Sequence, residues 1–212
     1  AVAGKNWVIF SDRLSHASII DGCRLSGAEI VVYEHCNPAD LERKTSRYRG
    51  RQGLIVTDGL FSVDGDIAPL PALVEIARKH QLLLMVDDAH ATGVLGKNGG
   101  GTAEHFGLDG GIDIVMGTLS KALASEGGFV AGSHSLMDCL VNSARSFIFS
   151  TAPAPATIAV SIAALDIVRK EPAARETLRG HSLWFRKELR TMGFNVEDHP
   201  TPIISIVLGR PD

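Results

Sequence analysis

Two segments of the chain carry residues that could perform a covalent or proton-transfer reaction. One is LLLMVDDAH, in which an apolar run ends in Asp87, Asp88 and, after one alanine, His90. Acidic residues at the carboxyl end of a buried parallel strand lie where α/β sheets bind ligands. The residues alone leave two other interpretations open. The carboxylates could be solvated loop residues, or Asp87 and His90 could belong to a metal site whose third ligand is unidentified.

The other segment is GTLSKAL, residues 117–123, which follows the apolar run IDIVM. It places Lys121 near hydroxyls at Thr118 and Ser120. Burial or a neighbouring cation can lower the pKa of a lysine enough to make its amine nucleophilic. Lys121 is therefore a candidate covalent amine, although most lysines are simply solvated.

Two weaker candidates lie nearer the amino terminus. DRLSHAS places His16 just after a predicted strand and before an apolar helix, where a histidine more often caps or packs than reacts. In TDGLFSVDGD, residues 57–66, Ser62, Asp64 and Asp66 by themselves fit turn chemistry. The other histidines carry no supporting pattern and are predicted to be surface or core residues: His35, His80, His105, His134, His181 and His199.

Other enzyme classes have less support. An acidic pair after an apolar strand also resembles the second motif of P-loop helicases. That class needs an upstream G-x-x-x-x-G-K-[ST] loop, which does not occur in this sequence. The S-x-x-K pattern of penicillin-binding enzymes would require serine at position 118, which is threonine. No G-x-S-x-G elbow is present either, so a serine hydrolase has little support.

Composition narrows the possible partners and compartment. Lysine and arginine number 21 against 24 aspartates and glutamates, a net charge of -3, so nucleic acid is disfavoured as a partner. The longest aliphatic run, residues 82–86, is far shorter than the roughly 20 residues of a membrane-spanning helix, so no membrane partner is expected. The three cysteines form no C-x-x-C pair, which favours a reducing, cytoplasmic location.

Short apolar runs alternate with amphipathic stretches, which predicts an α/β fold with a mostly parallel sheet and flanking helices. The predicted strands cover residues 7–10, 29–33, 54–57, 82–87, 112–116, 128–131 and, near the end, 203–208. Asn37 and Pro38 predict one helix start, and Pro69 and Pro71 open another that ends before His80. Residues 155–170 are predicted to form one buried helix, and residues 182–192 another.

Five motifs taken together resemble one family. In chain order they are DRLSHASIIDG, TDGLFSVDGDIAPL, VDDAHATGVLG, GTLSKAL and FIFSTAPAP, and they span residues 11–155. This set is similar to the α-oxoamine synthases, a family of pyridoxal-phosphate-dependent enzymes of fold type I. The resemblance implies a large cofactor-binding domain over residues 1–170 and the start of a smaller domain over residues 171–212. It also implies a homodimer, and a chain that lacks about the first quarter of the family's length and the end of the small domain.

The resemblance assigns roles to matching residues. Lys121 would hold pyridoxal 5'-phosphate (PLP) through its amine and afterwards move a proton. Asp87 would face the pyridine nitrogen of PLP and favour its protonated form. His90 would hydrogen-bond the phenolic oxygen, with Ser62 in the same network, and His16 would lie against the ring face.

The phosphate of PLP would be contacted by Thr118 and, from the neighbouring subunit, by Ser150 and Thr151. One residue departs from the family pattern: position 124 is alanine, where glycine usually follows KAL. A residue with a Cβ atom avoids positive φ, so the backbone there is expected to have negative φ.

The implied reaction condenses an amino acid with an acyl thioester and releases CO2. The motifs look most like those of members that join L-alanine to a pimeloyl thioester in biotin synthesis, and glycine-using members are the alternative. The residues do not select between them, because one methyl group is worth only about 1–3 kcal/mol in a pocket. The non-enzyme alternative is an inactive, truncated scaffold.

Overall fold

One six-stranded sheet organises the chain in this computed structural model, which describes residues 1–108 and 110–209. The strand order is β2-β1-β3-β4-β5-β6, and every neighbouring pair is parallel except β5 and β6. The strands are β1 Val8–Asp12, β2 Glu29–Tyr33, β3 Gly53–Asp58, β4 Leu83–Asp87, β5 Ile114–Thr118 and β6 Gly128–Gly132. The predicted α/β class and mostly parallel sheet are confirmed.

Helices connect and cover the strands. They are α1 Ala17–Ser26, α2 Pro38–Thr45, α3 Leu70–His80, α4 Thr102–His105, α5 His134–Ser143, α6 Arg145–Ile148, α7 Pro155–Lys170 and α8 Pro172–Thr191, with a 3-10 turn at Ser46–Tyr48. As predicted, Asn37 caps α2: its side chain accepts a hydrogen bond from the Asp40 N–H at 3.0 Å, and Pro38 is the first helical residue.

The core lies on both faces of the central strands. All residues of β1 and β3 are buried, and their apolar positions alternate between two clusters. On one face Phe10 and Ile55 pack with Leu41 of α2 and Leu73 of α3. On the other face Ile9 packs with residues of α1. Fully burying one such side chain stabilises the fold by about 1.5–3 kcal/mol, so the sheet is a rigid platform for the residues at its ends.

Two predictions about the carboxyl-terminal helices are wrong. Helix α7 has the predicted bounds but is not buried: Ser161 is the one buried residue within it, and Ile162 is 60% exposed. The helix is apolar all round, but little of the described chain covers it. Helix α8 begins at Pro172 rather than at residue 182. The prediction started the helix too late because Gly180 and the charged residues before it interrupt the apolar pattern.

The predicted strand at residues 203–208 is also wrong, because those residues have no strand conformation. A strand needs a partner for its backbone groups, and within the described chain none pairs with this segment. Side chains hold the segment instead. The Arg186 guanidinium donates to the carbonyls of Thr201 and Ile203 at 2.6 Å, and the Thr201 hydroxyl donates to the carbonyl of Gly65 at 2.6 Å.

Among the described residues, no helix is both long enough and apolar enough to cross a membrane.

Candidate active site

The carboxyl ends of the parallel strands bring polar residues to one edge of the sheet. Asp12 ends β1, Asp58 ends β3, Asp87 ends β4 and Thr118 ends β5. Asp58 and Asp87 are direct partners in the register of β3 and β4. This edge is where α/β sheets bind ligands.

Asp87 is a buried carboxylate that opens on a cavity. It is 4% exposed, and its Oδ1 accepts a hydrogen bond from the Ala89 N–H at 3.0 Å. Its Oδ2 has no hydrogen bond within the described chain. Asp87 lines a cavity of about 310 Å³ together with Ser18 of α1 and Met116 of β5. A buried carboxylate with so few internal partners is suited to a cationic or hydrogen-bond-donating ligand.

Asp88, the next residue, has a structural role. It is 1% exposed, its Oδ1 accepts from the Thr102 hydroxyl at 2.5 Å, and its Oδ2 accepts from the Thr102 N–H at 2.9 Å. Glycines leave room for it, since a Cβ atom at Gly59 or Gly101 would lie 2.1 Å from one of its oxygens. Both carboxylates are buried, so the alternative of a solvated pair is wrong.

His90 lies within electrostatic reach of three other predicted site residues. Burial lowers the pKa of His90, the charge of Lys121 lowers it further, and His16 acts in the same direction, whereas Asp87 opposes them. The structure therefore brings together four residues that the sequence singled out from three separate segments. His16 also caps α1, because its Nδ1 accepts a hydrogen bond from the Ser18 N–H at 3.3 Å.

Lys121 lies in an exposed loop between β5 and β6. Backbone hydrogen bonds from Leu119 to Gly127 and from Ser125 to Leu119 close the loop, at 2.9 and 2.8 Å. Ser161 of α7 anchors it from outside through a 2.8 Å hydrogen bond to the Ser125 hydroxyl. The base of the loop is therefore fixed while the lysine side chain remains accessible.

Thr118 and Ala124 define the conformation of this loop. The Thr118 hydroxyl lies 2.7 Å from the Ser120 hydroxyl and donates to the Gly127 carbonyl at 3.0 Å. Ala124 has φ 48°, so the expectation of negative φ at this position is wrong. The reason is a tight turn in which the Ala124 N–H donates to the Lys121 carbonyl at 3.0 Å. A left-handed residue other than glycine costs about 1–2 kcal/mol.

No hydrogen bond within the described chain links the remaining predicted residues to this group. Ser62 is in an exposed turn, and none of the hydrogen bonds in the described chain joins its side chain to the site. Ser150 and Thr151 are exposed, and the Ser150 hydroxyl donates to the carbonyl of Ser146. Their roles toward PLP remain predictions.

Asp58 is a site residue that the sequence analysis missed. Burial raises the pKa of Asp58 to about 6, and the nearby charges of Asp87 and Asp12 act in the same direction. Its Oδ2 accepts a hydrogen bond from the His16 N–H at 2.9 Å, which lowers the pKa in part. The signal was present, because Asp58 ends an apolar strand just as Asp87 does.

His35 was also missed as a partner of acidic groups. Its Nδ1 lies 2.8 Å from Asp12 Oδ1 and its Nε2 lies 2.8 Å from Asp66 Oδ2. These partners are 23 and 31 residues away in the sequence, so no local spacing pattern could reveal them.

Comparison with known proteins identifies the family. The model of the aminotransferase class I and II family matches residues 2–212. The 8-amino-7-oxononanoate synthase of Lysinibacillus sphaericus is 52% identical over 203 residues, which are 95% of this chain and 52% of that protein. The chain spans about half the length of the curated relatives it matches.

Solved structures share the fold. A serine palmitoyltransferase variant from S. paucimobilis with bound PLP and myriocin superposes with a TM-score of 0.95 at 34% identity, over 99% of this chain and 55% of that one. The 8-amino-7-oxononanoate synthase of Francisella tularensis superposes with a TM-score of 0.83 at 31% identity, over 99% and 61%. The chain thus belongs to the aminotransferase class I and II family, and its resemblance to the α-oxoamine synthases is confirmed.

Proposed function

We propose that the protein containing this chain is a PLP-dependent acyltransferase. It condenses L-alanine with a pimeloyl thioester and releases CO2 and the free thiol, giving 8-amino-7-oxononanoate for biotin synthesis. The observation that carries the proposal is the convergence of Lys121, Asp87, His90 and His16 where the neighbouring strands β1, β3, β4 and β5 have their carboxyl ends. The names of the relatives at about 50% identity support the choice of substrates.

The residues at this edge fit PLP. Its aldehyde requires an accessible amine, which Lys121 offers, and its pyridine nitrogen requires an acceptor, which the open oxygen of Asp87 offers. When bound, PLP supplies an electron sink for negative charge that develops beside the amino group of the substrate.

Lys121 performs two tasks in this scheme. Its Nζ would hold the cofactor covalently, and, once released by the incoming amino acid, it would accept the α-proton of the substrate. The same amine later returns a proton to the product. The exposed position of Lys121 on a fixed loop allows this movement.

Asp87 and His90 set the charge around the ring. The buried Asp87 carboxylate favours a protonated pyridine nitrogen, because the low-dielectric surroundings strengthen their attraction. The lowered pKa of His90 keeps its imidazole neutral near pH 7, so it can hydrogen-bond the phenolic oxygen without adding charge. His16 would lie against the ring face, and Ser62 would join the hydrogen bonds of His90.

Thr118 would hold the phosphate of PLP, together with Ser150 and Thr151 contributed by the partner subunit. This assignment makes the protein a homodimer whose partners are small molecules, an amino acid and an acyl thioester, and it is consistent with a cytoplasmic location. The cofactor-binding domain covers residues 1–170, and a smaller domain begins over residues 171–212.

Substrate competition tests the proposal. The full-length protein, loaded with PLP, is assayed with alanine, glycine or serine, each offered with pimeloyl-, acetyl- or palmitoyl-CoA. With pimeloyl-CoA as the donor, we expect alanine to be preferred over glycine by about 10- to 200-fold, the discrimination that a pocket achieves for one methyl group. Preference for glycine with acetyl-CoA would favour the glycine-using members. Covalent PLP without turnover of any pair would favour the inactive scaffold.

A further inference from the structure

A histidine held between two carboxylates lies beside the proposed site. Asp12 ends β1, His35 follows β2, and Asp66 lies in the loop after β3. We call these three residues the His35 clamp. It joins three segments that are separate in sequence, and one of them, the turn of residues 61–66, contains Ser62.

The geometry defines the charge of the histidine. Each ring nitrogen lies 2.8 Å from a carboxylate oxygen, and ionised carboxylates only accept hydrogen bonds. Both nitrogens must therefore carry a proton, which makes His35 an imidazolium. Burial acts to lower the pKa of His35, but the hydrogen bonds and charges of Asp12 and Asp66 together raise it.

The two carboxylates depend on His35 unequally. Asp12 is also held by backbone N–H groups, with Leu14 donating to its Oδ1 and Cys36 to its Oδ2, both at 2.9 Å. Asp66 has no such anchors within the described chain. Its Oδ2 accepts hydrogen bonds from His35 Nε2 and from the Cys36 thiol, and its buried Oδ1 has no hydrogen-bond partner among the described residues. His35 thus supplies the only cation that contacts Asp66 among the described residues.

The other groups around His35 do not replace it. The ring of Phe61 meets the imidazole edge to face at 4.5 Å, and burial raises the pKa of the Cys36 thiol, which keeps it neutral. Tyr33 and Asp58 lie on the strands beneath, and the pKa of the Tyr33 phenol is also raised by burial. The neighbouring Arg13 and Glu34 pair with each other.

A metal site is the other chemistry these atoms suggest, since ligand atoms of Asp12, His35 and Cys36 lie within 4.8 Å of one another. Metal binding needs a free imidazole nitrogen and is favoured by a thiolate. Here both nitrogens face carboxylates and the thiol is neutral, so the observations favour an ion network.

We propose that His35 is a positioning residue: as an imidazolium between Asp12 and Asp66, it fixes the turn of residues 61–66 against the sheet, and with it the Ser62 hydroxyl. The relevance to catalysis rests on the proposed function, because that function uses Ser62. The turn has internal bonds, from the Phe61 N–H to the Asp66 carbonyl at 3.0 Å and from the Gly65 N–H to the Phe61 carbonyl at 3.1 Å. Two other side chains anchor the turn without charge: the Thr201 hydroxyl donates to the Gly65 carbonyl, and the Ser205 hydroxyl donates to the Val63 carbonyl.

The pH dependence follows from the raised pKa of His35. The stabilisation is complete below the pKa of an unfolded histidine, about 6.5, and is lost as the pH rises through the higher pKa of the folded state. The turn should therefore be held at pH 6 and loosen in alkaline solution.

Hydrogen exchange in the full-length protein, without PLP or substrate, tests the proposal. In the wild type, exchange of a peptide covering residues 59–69, corrected for intrinsic rates, should rise about tenfold or more from pH 6 to pH 9. In His35→Gln it should be fast at both pH values. The matched control is His80→Gln, which removes another partly buried histidine from a carboxylate partner, Glu42, and should behave as the wild type.

Several results would overturn the proposal. They are wild-type exchange that does not change with pH, His35→Gln exchange equal to that of the wild type, or a change on adding a chelator. If His35→Gln does not fold, the wild-type pH series decides alone.

In the PLP-loaded enzyme, we expect the kcat/KM of the wild type to decline in alkaline solution as His35 loses its proton, and this decline to be absent in His35→Gln. Because the exchange assay omits PLP, a tight, pH-sensitive turn together with no cofactor on Lys121 would reject only the proposed function.

Discussion

The candidate site has two halves that differ in burial and hydrogen bonding: a buried half at the ends of β1, β3 and β4, and an exposed half in the loop after β5. At the ends of β1, β3 and β4, Asp12, Asp58 and Asp88 are almost fully buried and accept hydrogen bonds from defined donors. In the loop after β5, Lys121 is exposed, and among the described residues the hydroxyl of Thr118, the last residue of β5, bonds only to Ser120 and Gly127 at the two sides of that loop. The sheet thus holds its carboxyl groups through its own hydrogen bonds, whereas no hydrogen bond within the described chain holds the Lys121 side chain.

The largest effect is expected at the exposed half. Lys121→Ala should reduce kcat/KM by about 10³-fold or more, since a positioned amine contributes both covalent binding and proton transfer. Its free energy of unfolding should change by less than about 0.5 kcal/mol, because the side chain is exposed. Lys97→Ala, at another exposed lysine, should leave both quantities unchanged. A large loss of stability in Lys121→Ala would contradict the comparison.

In the buried half, substitutions of the adjacent residues Asp87 and Asp88 should affect different properties, activity for Asp87 and stability for Asp88. Asp87→Asn should lower kcat/KM by about 10²-fold or more, by removing the charge that faces the ring, with little change in melting temperature. Asp88→Asn should instead destabilise the fold by about 1–3 kcal/mol, because it disrupts the hydrogen bonds that Thr102 donates. Kinetics and thermal unfolding of both variants check this. The reverse pattern would assign the functional carboxylate to Asp88.

Asp58 predicts a dependence of stability on pH. Its pKa is raised to about 6, so the stability contributed by the protonated carboxyl is complete below about pH 4 and is lost as the pH rises through 6. Asp58→Asn stays neutral and can still accept from the His16 N–H. In urea unfolding, the difference in free energy of unfolding between Asp58→Asn and the wild type should shift in favour of the variant by on the order of 2 kcal/mol from pH 4 to pH 7. Asp64→Asn, at an exposed turn carboxylate, should show no such gain.

The smallest effect concerns the strain in the lysine loop. Ala124→Gly should stabilise the protein by about 0.5–1 kcal/mol, because relief of the left-handed conformation exceeds the added entropy of the unfolded chain. Ala122→Gly in the same loop, where φ is not positive, should destabilise by a similar amount. Melting temperatures of the two variants check the opposite signs. If both substitutions lowered the melting temperature, Ala124 would be unstrained.

The sequence predicted the sheet well because buried parallel strands are continuous apolar runs. All six strands of the sheet lie within two residues of their predicted bounds. The same logic located Asp87, and it would have located Asp58 had it been applied to every strand end. It failed for residues 203–208, whose apolar run has no strand to pair with in the described chain.

Long-range pairing and loop strain set the limit of prediction. His35 owes its charge to residues on two other segments, and the positive φ of Ala124 follows from a turn that its residue type disfavours. The burial of α7 likewise depends on which other parts of the structure pack against it, and this cannot be predicted from the apolar sequence of the helix alone.

The central claim is that Lys121 is the amine that carries PLP. The direct measurement adds PLP to this chain and to the full-length protein, reduces with borohydride, and locates the modified residue by peptide mapping. We expect one stoichiometric label, on Lys121, at least in the full-length protein. A label on any other lysine, or no label in either protein, would contradict the account.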